Sequence, residues 1–403
     1  MIQPPYQVKT YSLEVFSDIE TPVSAYMKLA NGGLSILLES IKDSQRKSRY
    51  SVFGMKPMLI FRRRPDGTEI EDTVKNVTLR PEGNPFDHLK IVLAGYTFDR
   101  KEPFECGFIA GYISYDAIRY IERIPDQTAD DLNIPEMLMF IPSEVILFDH
   151  ETHRMKLLIH SVQDSSGRLT QEEAEHRLYA MMHQLSYSTP NFREIPPEAE
   201  LPPAPEVTLN MTRQDYIKSI EKAKSYIQQG DIFQVVFSRR FQALIRCRAF
   251  DIYQMLRLIN PSPYMFYLNT PEGFKIVGSS PETMVKVSDG RMTLRPIAGT
   301  RKRGASTEED QRIAGELLQD EKELAEHHML VDLGRNDLGR MAEYGSVRVD
   351  SFRQIENYSH VMHIVSTASG QLKPDHDAVD VFTSCFPAGT VSGAPKIRAM
   401  EII

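Results

Sequence analysis

Two short segments of the sequence join a Gly-Thr pair to basic residues, a combination typical of a loop that holds an anion. LRPIAGTRKRG contains Gly299 and Thr300, and FPAGTVSGAPKIR repeats Gly-Thr before Pro395 at a possible helix start. Glycine lets the backbone approach a ligand, threonine adds a hydroxyl, and helix N-terminal N–H groups attract negative charge. Since the GxxxxGK[ST] order of a Walker loop is absent, a carboxylate is as reasonable a ligand as a phosphate, and a tight turn with a solvated basic edge is the alternative.

The segment QDEKELAEHHMLVDLGRNDLGRM has helical periodicity and carries two carboxylates on one face. Glu323 and Glu326 are three residues apart, so their side chains are neighbours on a helix. Such a pair could hold a hard cation through oxygen ligands, although solvated helix charges are the more common explanation. His327 and His328 have no histidine four residues further on, so the helix does not predict a zinc site.

Two further residues are candidates for moving protons. Glu282, in SSPETMVKV, is a candidate acid, and His363, in NYSHVMHIVSTASG, is a candidate proton carrier. Each stands alone, and a single histidine in an apolar strand is more often a packed side chain. These spacings predict no Ser/His/Asp arrangement.

Both strands and helices are predicted around these residues, and they do not follow each other in a regular β-α-β order. SEVILFDHETHRMKLLIH predicts a hairpin, TQEEAEHRLYAMMHQL predicts a helix, and Thr212 is a plausible N-cap of a helix ending at Gly230. Residues 188–209 are rich in proline and predict a linker or surface crossing. The sequence therefore predicts an α+β fold, with an N-terminal lobe over residues 1–187 and a catalytic region over residues 210–403.

Composition argues against several classes of protein. A formal net charge of −8 argues against a nucleic-acid surface, and no apolar run reaches the length of a membrane span. The N-terminus lacks the basic start, apolar stretch and cleavage site of a secretory signal, so a cytoplasmic protein is predicted. Cys106, Cys247 and Cys385 form no CxxC pair, which indicates neither a zinc site nor a disulfide framework.

The order of the motifs along the chain is more specific than any one of them. It runs GDIFQVV, NPSPYM, GSSPE, RPIAGTRKRG, EKELAEHHMLVDLGRNDLGR, YSHVMHIVS, FPAGTVSGAPK. This order closely resembles the chorismate-utilising enzymes, and within them the anthranilate-forming branch. The resemblance covers nearly the whole chain and is strongest from Thr212 onward. It implies a two-lobed α+β fold in which β-sheets pack on each other and helices lie outside.

The resemblance also implies a metal ion. Chorismate carries two carboxylates, and family members bind its ring carboxylate through Mg²⁺ held by a glutamate that matches Glu326. Glu323 would support this ligand from the same helix. Magnesium suits such a site, since it takes a few protein carboxylates and leaves places for substrate oxygens and water.

Four residues match positions that act on the substrate in the family. Gly299 and Thr300 match backbone and hydroxyl contacts to chorismate. Glu282 matches the acid that protonates the departing 4-hydroxyl, and His363 matches a histidine beside the ring that is implicated in the loss of pyruvate. A general acid must hold its proton near neutral pH, so we expect a partly apolar site to raise the pKa of Glu282.

Two positions separate the branches of the family. Relatives that add water carry a lysine base where Gln234 stands in the substrate site, and aminodeoxychorismate synthases carry a lysine nucleophile where Ala298 stands. Both differences imply direct addition of ammonia to chorismate and formation of anthranilate. The chain has no nucleophile-elbow cysteine motif, so the ammonia would come from a glutamine amidotransferase subunit. The alternatives are an aminodeoxychorismate synthase large subunit and a catalytically inactive fragment that binds tryptophan.

Anthranilate-forming relatives bind L-tryptophan as an inhibitor, in a pocket whose segments match LLES and NPSPYM. The matching residues are Ser40, Pro263, Tyr264 and Met265. Three basic residues near LLES could pair with an amino-acid carboxylate: Arg46, Lys47 and Arg49. The alternative explanation of LLES is a buried strand end.

Family members continue beyond the position that matches AMEII, with an arginine that binds substrate and a second metal-binding glutamate. The last residues of the sequence predict the beginning of a helix without a C-cap, which leaves carbonyl groups exposed. The resemblance therefore implies a chain truncated at its C-terminus.

Overall fold

The computed structural model describes residues 6–30, 32–40, 49–100, 102, 104–164, 168–190, 203–358 and 360–403. Helices and strands are mixed throughout, which confirms the predicted α+β class. The strands are β1 (Tyr6–Phe16), β2 (Ser35–Glu39), β3 (Tyr50–Arg64), β4 (Gly67–Asp72), β5 (Val77–Leu79), β6 (Tyr96–Phe98), β7 (Ala110–Ile113), β8 (Met137–Asp149), β9 (Arg154–Val162), β10 (Val207–Leu209), β11 (Gln234–Val235), β12 (Phe241–Ala243), β13 (Tyr264–Asn269), β14 (Lys275–Ser280), β15 (Lys286–Ser288), β16 (Arg291–Leu294), β17 (Ile297–Lys302), β18 (Arg348–Asn357), β19 (Val361–Gln371) and β20 (Gly393–Ala394). The α-helices are α1 (Pro22–Leu29), α2 (Pro85–Ala94), α3 (Gln171–Tyr187), α4 (Arg213–Gln228), α5 (Ala249–Ile259), α6 (Thr307–Leu317), α7 (Glu321–Met341), α8 (Ala378–Cys385) and α9 (Lys396–Ile402).

The chain forms two compact units that alternate along the sequence. The first comprises residues 1–120, 130–201 and 247–281, and the second comprises residues 121–129, 202–246 and 282–403. This division differs from the predicted boundaries, because residues 247–281 lie in the first unit and not in the catalytic region. The physical reason is strand pairing: β13 lies antiparallel to β2, with Met265 opposite Glu39, and β14 pairs with β13.

One large sheet organises the first unit. Its strand order is β14-β13-β2-β3-β8-β9-β1-β6, with β4 beside β3, β5 beside β4, and β7 beside β8. The predicted hairpin is confirmed, since β8 and β9 pair with Asp149 opposite Arg154. Helices α1, α3 and α5 bury side chains with this sheet in a core that includes Phe53, Tyr253 and Met265.

Helix α3 shows how local sequence sets this packing. Thr170 caps it by accepting the N–H of Glu173, and the Glu173 carboxylate accepts the N–H of Thr170 in return. Buried residues recur at helical spacing on one face: Ala174, Leu178, Met181 and Leu185. Burying a side chain of the size of leucine stabilises the fold by about 1.5–3 kcal/mol. The predicted helix is confirmed.

The second unit is built on a smaller sheet with the order β15-β16-β19-β17, in which β18 also pairs with β19. Helix α7 packs against β17 and β19, and Leu338 from this helix joins a buried cluster with Met292 and Val381. The predicted helices are confirmed here: α7 spans Glu321–Met341, and Thr212 caps α4. Val207–Leu209 forms β10, which pairs with β12, so the predicted linker ends in a strand. Its residues 191–202 lie outside the described residues.

Two further properties concern the described residues as a whole. Among them, no helix combines the length and apolar character needed to cross a membrane. The thiols of Cys106, Cys247 and Cys385 are free.

Candidate functional site

Helix α7 places Glu323 and Glu326 against different partners. Its N-terminus is fixed by Asp320, whose carboxylate accepts two backbone N–H groups of the first turn. Arg301 donates to Glu323 at 3.2 Å, and Gln234 donates through Nε2 to Glu326 at 3.2 Å. Glu323 therefore has its charge balanced by a cation, whereas Glu326 accepts its hydrogen bond from a neutral amide.

Gln234 lies on a short strand that is packed so closely against its neighbour that the neighbour must carry a glycine. β11 pairs with β20, and Gln234 lies opposite Ala394. A Cβ atom at Gly393 would lie 2.2 Å from the carbonyl oxygen of Gln234. A side chain at position 393 would therefore separate the two strands and displace Gln234, so glycine is required by the close approach of the backbones.

The oxygen atoms at this place suit a hard cation. Within the described ranges, no three or more His, Cys, Asp and Glu residues form a metal cluster. Glu326 and Glu323 supply carboxylates, and Gln234 Oε1 is buried with no hydrogen-bond partner in the described part of the chain. A buried, unpaired oxygen costs about 1–3 kcal/mol. Two carboxylates and an amide oxygen fit the small protein contribution that Mg²⁺ usually receives.

Glu282 is a half-buried carboxyl next to a small cavity with a mostly apolar lining. The Thr390 hydroxyl lies 3.3 Å from each of its carboxylate oxygens and donates to them. The adjacent cavity measures about 20 Å³, room for one water, and Leu330 and Leu333 contribute to its lining. Burial raises the pKa of Glu282 to about 7, and the hydrogen bond from Thr390 opposes this increase. The carboxyl group can therefore retain its proton near neutral pH, and the pKa is raised in the predicted direction.

His363 lies on β19 opposite Thr300 on β17. Its Nδ1 is 3.1 Å from Thr300 Oγ1 and 3.1 Å from the carbonyl oxygen of Gly299. Gly299 has φ +65°, a left-handed conformation that favours glycine, at an irregularity in the pairing of β17 with β19. Burial lowers the pKa of His363, so the ring is neutral at pH 7 and can accept a proton.

The structure brings the predicted catalytic and metal-binding residues into hydrogen-bonded groups within the second unit. The groups are Gln234 with Glu326, Glu323 with Arg301, Glu282 with Thr390, and His363 with Gly299 and Thr300. Two elements connect the Gln234–Glu326 group with the Glu282–Thr390 group: α7 carries Glu326 and the leucines beside Glu282, and residues 389–394 carry Thr390 and the strand that pairs with Gln234. The catalytic and binding roles of these residues stay predictions.

Two residues near the site were not predicted from the sequence: Thr390, the partner of Glu282, and Asp337, a buried carboxyl group. Asp337 forms an ion pair with Lys396 at 2.7 Å, and each side chain is 11% exposed. Lys396 Nζ also donates to the carbonyl oxygen of Cys385 at 3.0 Å. The burial of Asp337 could have been predicted from the sequence, because Leu330, Gly334 and Asp337 are spaced so that they share one face of a helix. Lys396, held by Asp337, thus also binds Cys385. Its two bonds therefore tie together the two ends of the segment from Cys385 to Lys396 that carries Thr390.

Replacing Lys396 by methionine is expected to destabilise the protein by about 3–5 kcal/mol at pH 7, because it leaves Asp337 buried without its partner. Burial already raises the pKa of Asp337 to about 6. The loss should therefore be smaller below pH 6, where the carboxyl group is neutral. Urea denaturation of the wild-type and Lys396→Met proteins measures the difference.

A matched control for this variant is Arg312→Met, which breaks the exposed pair of Arg312 with Glu316 on α6. Exposed pairs of this spacing contribute about 0.3–0.5 kcal/mol. The double change Lys396→Met with Asp337→Leu should recover most of the lost stability. Equal destabilisation by Lys396→Met and Arg312→Met would contradict the buried-pair interpretation.

A cavity of about 540 Å³ lies in the first unit, where β2 ends. Its lining includes Glu39, Ser40, Arg49 and Arg257. Glu39 is only 5% exposed and is held by Arg257 at 2.9 Å and by the hydroxyl of Tyr253 at 2.6 Å. Burial raises the pKa of Glu39, and both partners oppose that increase. The cavity thus presents positive and negative groups to any small molecule that enters it.

The predicted tryptophan-binding residues come from the end of β2 and the start of β13, which pair with Met265 opposite Glu39, the residue before Ser40. Ser40 lines the cavity at the end of β2, whereas Pro263, Tyr264 and Met265 are not among its lining residues. Met265 is buried in the core at 1% exposure, while Tyr264 is 44% exposed. All four belong to the first unit, because β13 pairs with β2. Arg46 and Lys47 lie outside the described residues.

The chain belongs to the chorismate binding enzymes, since the model of that family matches residues 36–403. It is similar to anthranilate synthase component 1 of Acetivibrio thermocellus, with 38% identity over 410 residues that cover 99% of this chain and 81% of the relative. The Thermus thermophilus component 1 is 42% identical over 398 residues, covering 98% and 82%. The crystal structure of anthranilate synthase component I from Streptococcus pneumoniae has a TM-score of 0.75 and 32% identity, over 96% of this chain and 82% of that chain. These findings confirm the family resemblance and the fold.

Proposed function

We propose that the protein converts chorismate and ammonia to anthranilate, pyruvate and water, as the large subunit of a two-component enzyme. The observation that carries the proposal is Glu282, whose pKa of about 7 lets it donate a proton at neutral pH. The similarity to proteins named anthranilate synthase component 1 supports this reaction over others of the family.

The proposed reaction needs a proton donor and then a proton acceptor. Attack of ammonia on the ring expels the 4-hydroxyl, which leaves as water once Glu282 protonates it. The intermediate then loses the hydrogen at the attacked carbon, and its enolpyruvyl group takes a proton at the CH₂ carbon and leaves as pyruvate. His363 accepts the ring proton through Nε2, because the carbonyl of Gly299 holds a proton on Nδ1.

Two side chains support ammonia as the nucleophile. Gln234 carries no base that could activate water, and its Nε2 is already bonded to Glu326. Ala298 is buried at 8% exposure and has no nucleophilic atom. Ammonia needs neither group, since it is itself a nucleophile once it has lost the proton of ammonium.

A bound Mg²⁺ is part of the proposal. Glu326 would be its principal ligand, with Glu323 close by on the same helix and the unpaired Gln234 Oε1 as a further oxygen. When bound, the ion neutralises a carboxylate of the substrate and stabilises the charge that develops as the hydroxyl departs. Gly299 and Thr300 would contact the substrate beside His363.

A glutamine amidotransferase subunit is the proposed source of ammonia at neutral pH. The name component 1, carried by the relatives, indicates a second component in those proteins. Free ammonium at alkaline pH should replace this partner, because ammonium must lose a proton before it can attack.

L-Tryptophan is the proposed inhibitor, bound in the cavity that Ser40 lines. A volume of about 540 Å³ lies within the range of small-molecule pockets. Arg49 pairs with Asp149 at 3.1 Å, but its guanidinium is half exposed and has further N–H groups for the carboxylate of an amino acid. Glu39 lines the same cavity and would be the carboxylate available to the ammonium group. The exposed ring of Tyr264 follows Pro263 on the neighbouring strand.

Replacing Ser40 by phenylalanine is expected to weaken inhibition by tryptophan at least about tenfold, which corresponds to a loss of about 1.4 kcal/mol. The larger side chain occupies the cavity, while the catalytic residues lie in the other unit and keep uninhibited turnover unchanged. Anthranilate fluorescence against tryptophan concentration measures the effect. Ser186→Phe is the matched control, because Ser186 is exposed on α3. Inhibition that is equally strong in both variants would place the regulatory site elsewhere.

The experiment that tests the function incubates the purified protein with chorismate, Mg²⁺ and ammonium at alkaline pH and identifies products by mass. Anthranilate and pyruvate in equal amounts are expected. Isochorismate or aminodeoxychorismate as the dominant product would overturn the proposal. Binding of tryptophan without any consumption of chorismate would instead support a catalytically inactive binding protein.

A further inference from the structure

Three neighbouring strands of the second unit place three polar residues in one transverse row. His363 on the central strand β19 lies opposite Thr300 on β17 and opposite Glu356 on β18. Directly opposed residues on antiparallel strands point to the same face of the sheet, with Cβ atoms about 4.5–5.5 Å apart. The imidazole of His363 is therefore flanked by a hydroxyl on one side and by a carboxylate on the other.

The carboxylate of Glu356 is itself held in place. Arg295 forms an ion pair with Glu356 Oε1, and the hydroxyl of Tyr358 donates to Oε2 at 3.2 Å. The Tyr358 ring packs edge-on against the ring of His363, with centroids 5.3 Å apart and an interplanar angle of 72°. Glu356 is thus hydrogen-bonded to Tyr358, whose ring packs on His363. The carboxylate and the phenol ring therefore both lie beside the imidazole of His363.

The hydrogen bonds of His363 select one tautomer. A carbonyl oxygen can only accept, so the contact of 3.1 Å to Gly299 requires the proton on Nδ1. In the neutral ring, Nε2 then has the lone pair and is the nitrogen able to accept a proton. When it does so, the ring becomes positive, and a neighbouring carboxylate stabilises that form.

We propose that Glu356, held by Arg295 and Tyr358, is a positioning residue that fixes the ring of His363 and stabilises its protonated form during turnover. The proposal rests on the proposed function in one respect, namely that the proton comes from the substrate. The positioning itself is a property of the three strands and can be measured without substrate.

The titratable side chains that α7 presents near this part of the sheet have partners of their own. On α7, which packs against β17 and β19, Glu323 is paired with Arg301 and Glu326 with Gln234. His327, from the same helix, is bonded to Ser366 on β19 at 2.6 Å. Burial lowers the pKa of His363, and the hydrogen bond to Gly299 and the charge of Glu356 oppose that decrease. Arg295 is already paired with Glu356 and so does not act on His363 as an isolated cation.

The test is a pH titration of His363 by NMR in protein labelled at histidine, with the signal assigned through its loss in His363→Asn. Glu356→Gln is expected to lower the midpoint of this titration by about one pH unit, the effect of removing one nearby opposite charge. Glu316→Gln, which removes an exposed carboxylate on α6, is the matched control and should leave the midpoint unchanged. Circular dichroism checks that each variant is folded.

The conservative variant Glu356→Asp separates charge from structure and also serves if Glu356→Gln does not fold. It keeps the negative charge, so the midpoint should stay within a few tenths of a pH unit of the wild type. Turnover should fall roughly ten- to hundredfold in Glu356→Gln, as is typical when a carboxylate that orients a functional histidine is removed. The KM for chorismate should change little, and Glu356→Asp should regain part of the lost kcat.

The outcomes distinguish this proposal from the proposed function. If the midpoint moves in Glu356→Gln but no anthranilate is formed by the wild type, the positioning role stands and the function is wrong. If the wild type makes anthranilate while Glu356→Gln changes neither the midpoint nor kcat, the positioning role is overturned. A midpoint that falls equally in Glu356→Gln and Glu316→Gln would also overturn it.

Discussion

Replacing Glu282 by glutamine is expected to reduce turnover by at least about a hundredfold and, at the same time, to stabilise the folded protein above pH 7. Glutamine has nearly the same shape but no proton to give to a departing hydroxyl, and loss of a general acid typically costs about 10²–10⁴ in rate. The gain in stability has a different cause. Burial disfavours the ionised carboxylate, and it is this cost that raises the pKa of Glu282 to about 7.

The sign of the stability change follows from the two pKa values. The pKa of Glu282 rises from 4.5 to about 7 on folding. The stabilising preference for the protonated form is therefore complete below pH 4.5 and is lost as the pH rises to about 7. A difference of this size corresponds to about 3 kcal/mol, and partial exposure of the carboxyl reduces it, so we expect Glu282→Gln to be more stable by about 2 kcal/mol above pH 7.

The activity of the wild type should decline as the pH rises through about 7, measured with glutamine and the partner subunit so that the supply of ammonia does not limit the rate. Thr390→Val is the informative companion variant. It keeps the acid but removes the hydrogen bond that lowers its pKa, so the decline should begin at a higher pH. Denaturation curves and pH–rate profiles of the three proteins are the measurements. Full activity of Glu282→Gln at any pH would remove Glu282 from the mechanism.

Replacing Glu326 by glutamine is expected to reduce kcat by about 10²–10³, the usual loss when one group that stabilises developing charge is removed. The amide oxygen of the new side chain can still accept the hydrogen bond from Gln234, so the local structure should survive. The affinity for Mg²⁺, measured by calorimetry without substrate, should fall in parallel, because an amide oxygen is a weaker ligand for a hard cation than a carboxylate.

Glu323→Gln is the matched control on the same helix. Glu323 has Arg301 as a partner, so its loss should reduce Mg²⁺ affinity less than the loss of Glu326. Tryptophan binding should be unchanged in both variants, since the cavity lined by Ser40 lies in the other unit. Turnover of Glu326→Gln that follows the wild-type curve over a Mg²⁺ titration would exclude Glu326 as a ligand.

Local pattern predicts the elements of this fold well, because their causes lie within a few residues. The capping box of Thr170 and Glu173 and the spacing of Ala174 and Leu178 determine α3, and the apolar runs around Asp149 determine the hairpin of β8 and β9. Pairing between distant segments has no such local signal. β13 lies beside β2 although about 230 residues separate them in the chain, and the two-unit division follows from that pairing.

Contacts between distant residues are equally hard to predict from the sequence at the candidate site. The order of the motifs selects Glu282, Glu326 and His363, since a family resemblance carries information that no single spacing contains. It does not say what each side chain contacts. The bond from Thr390 to Glu282 joins residues 108 positions apart, and the bond from Gln234 to Glu326 joins residues 92 positions apart. Such partners become visible only when the backbone is in place.

The alternation of the two units along the chain has a consequence for any attempt to divide the protein. A fragment ending at residue 187 would lack β13 and β14, so one edge of β2 would present unpaired backbone groups, a common start of aggregation. A protease site inserted between residues 191 and 202 should therefore give two polypeptides that co-purify under native conditions, because the ladder between β2 and β13 holds the second piece to the first. They should separate only in denaturant, and neither should be recovered in soluble form when expressed alone.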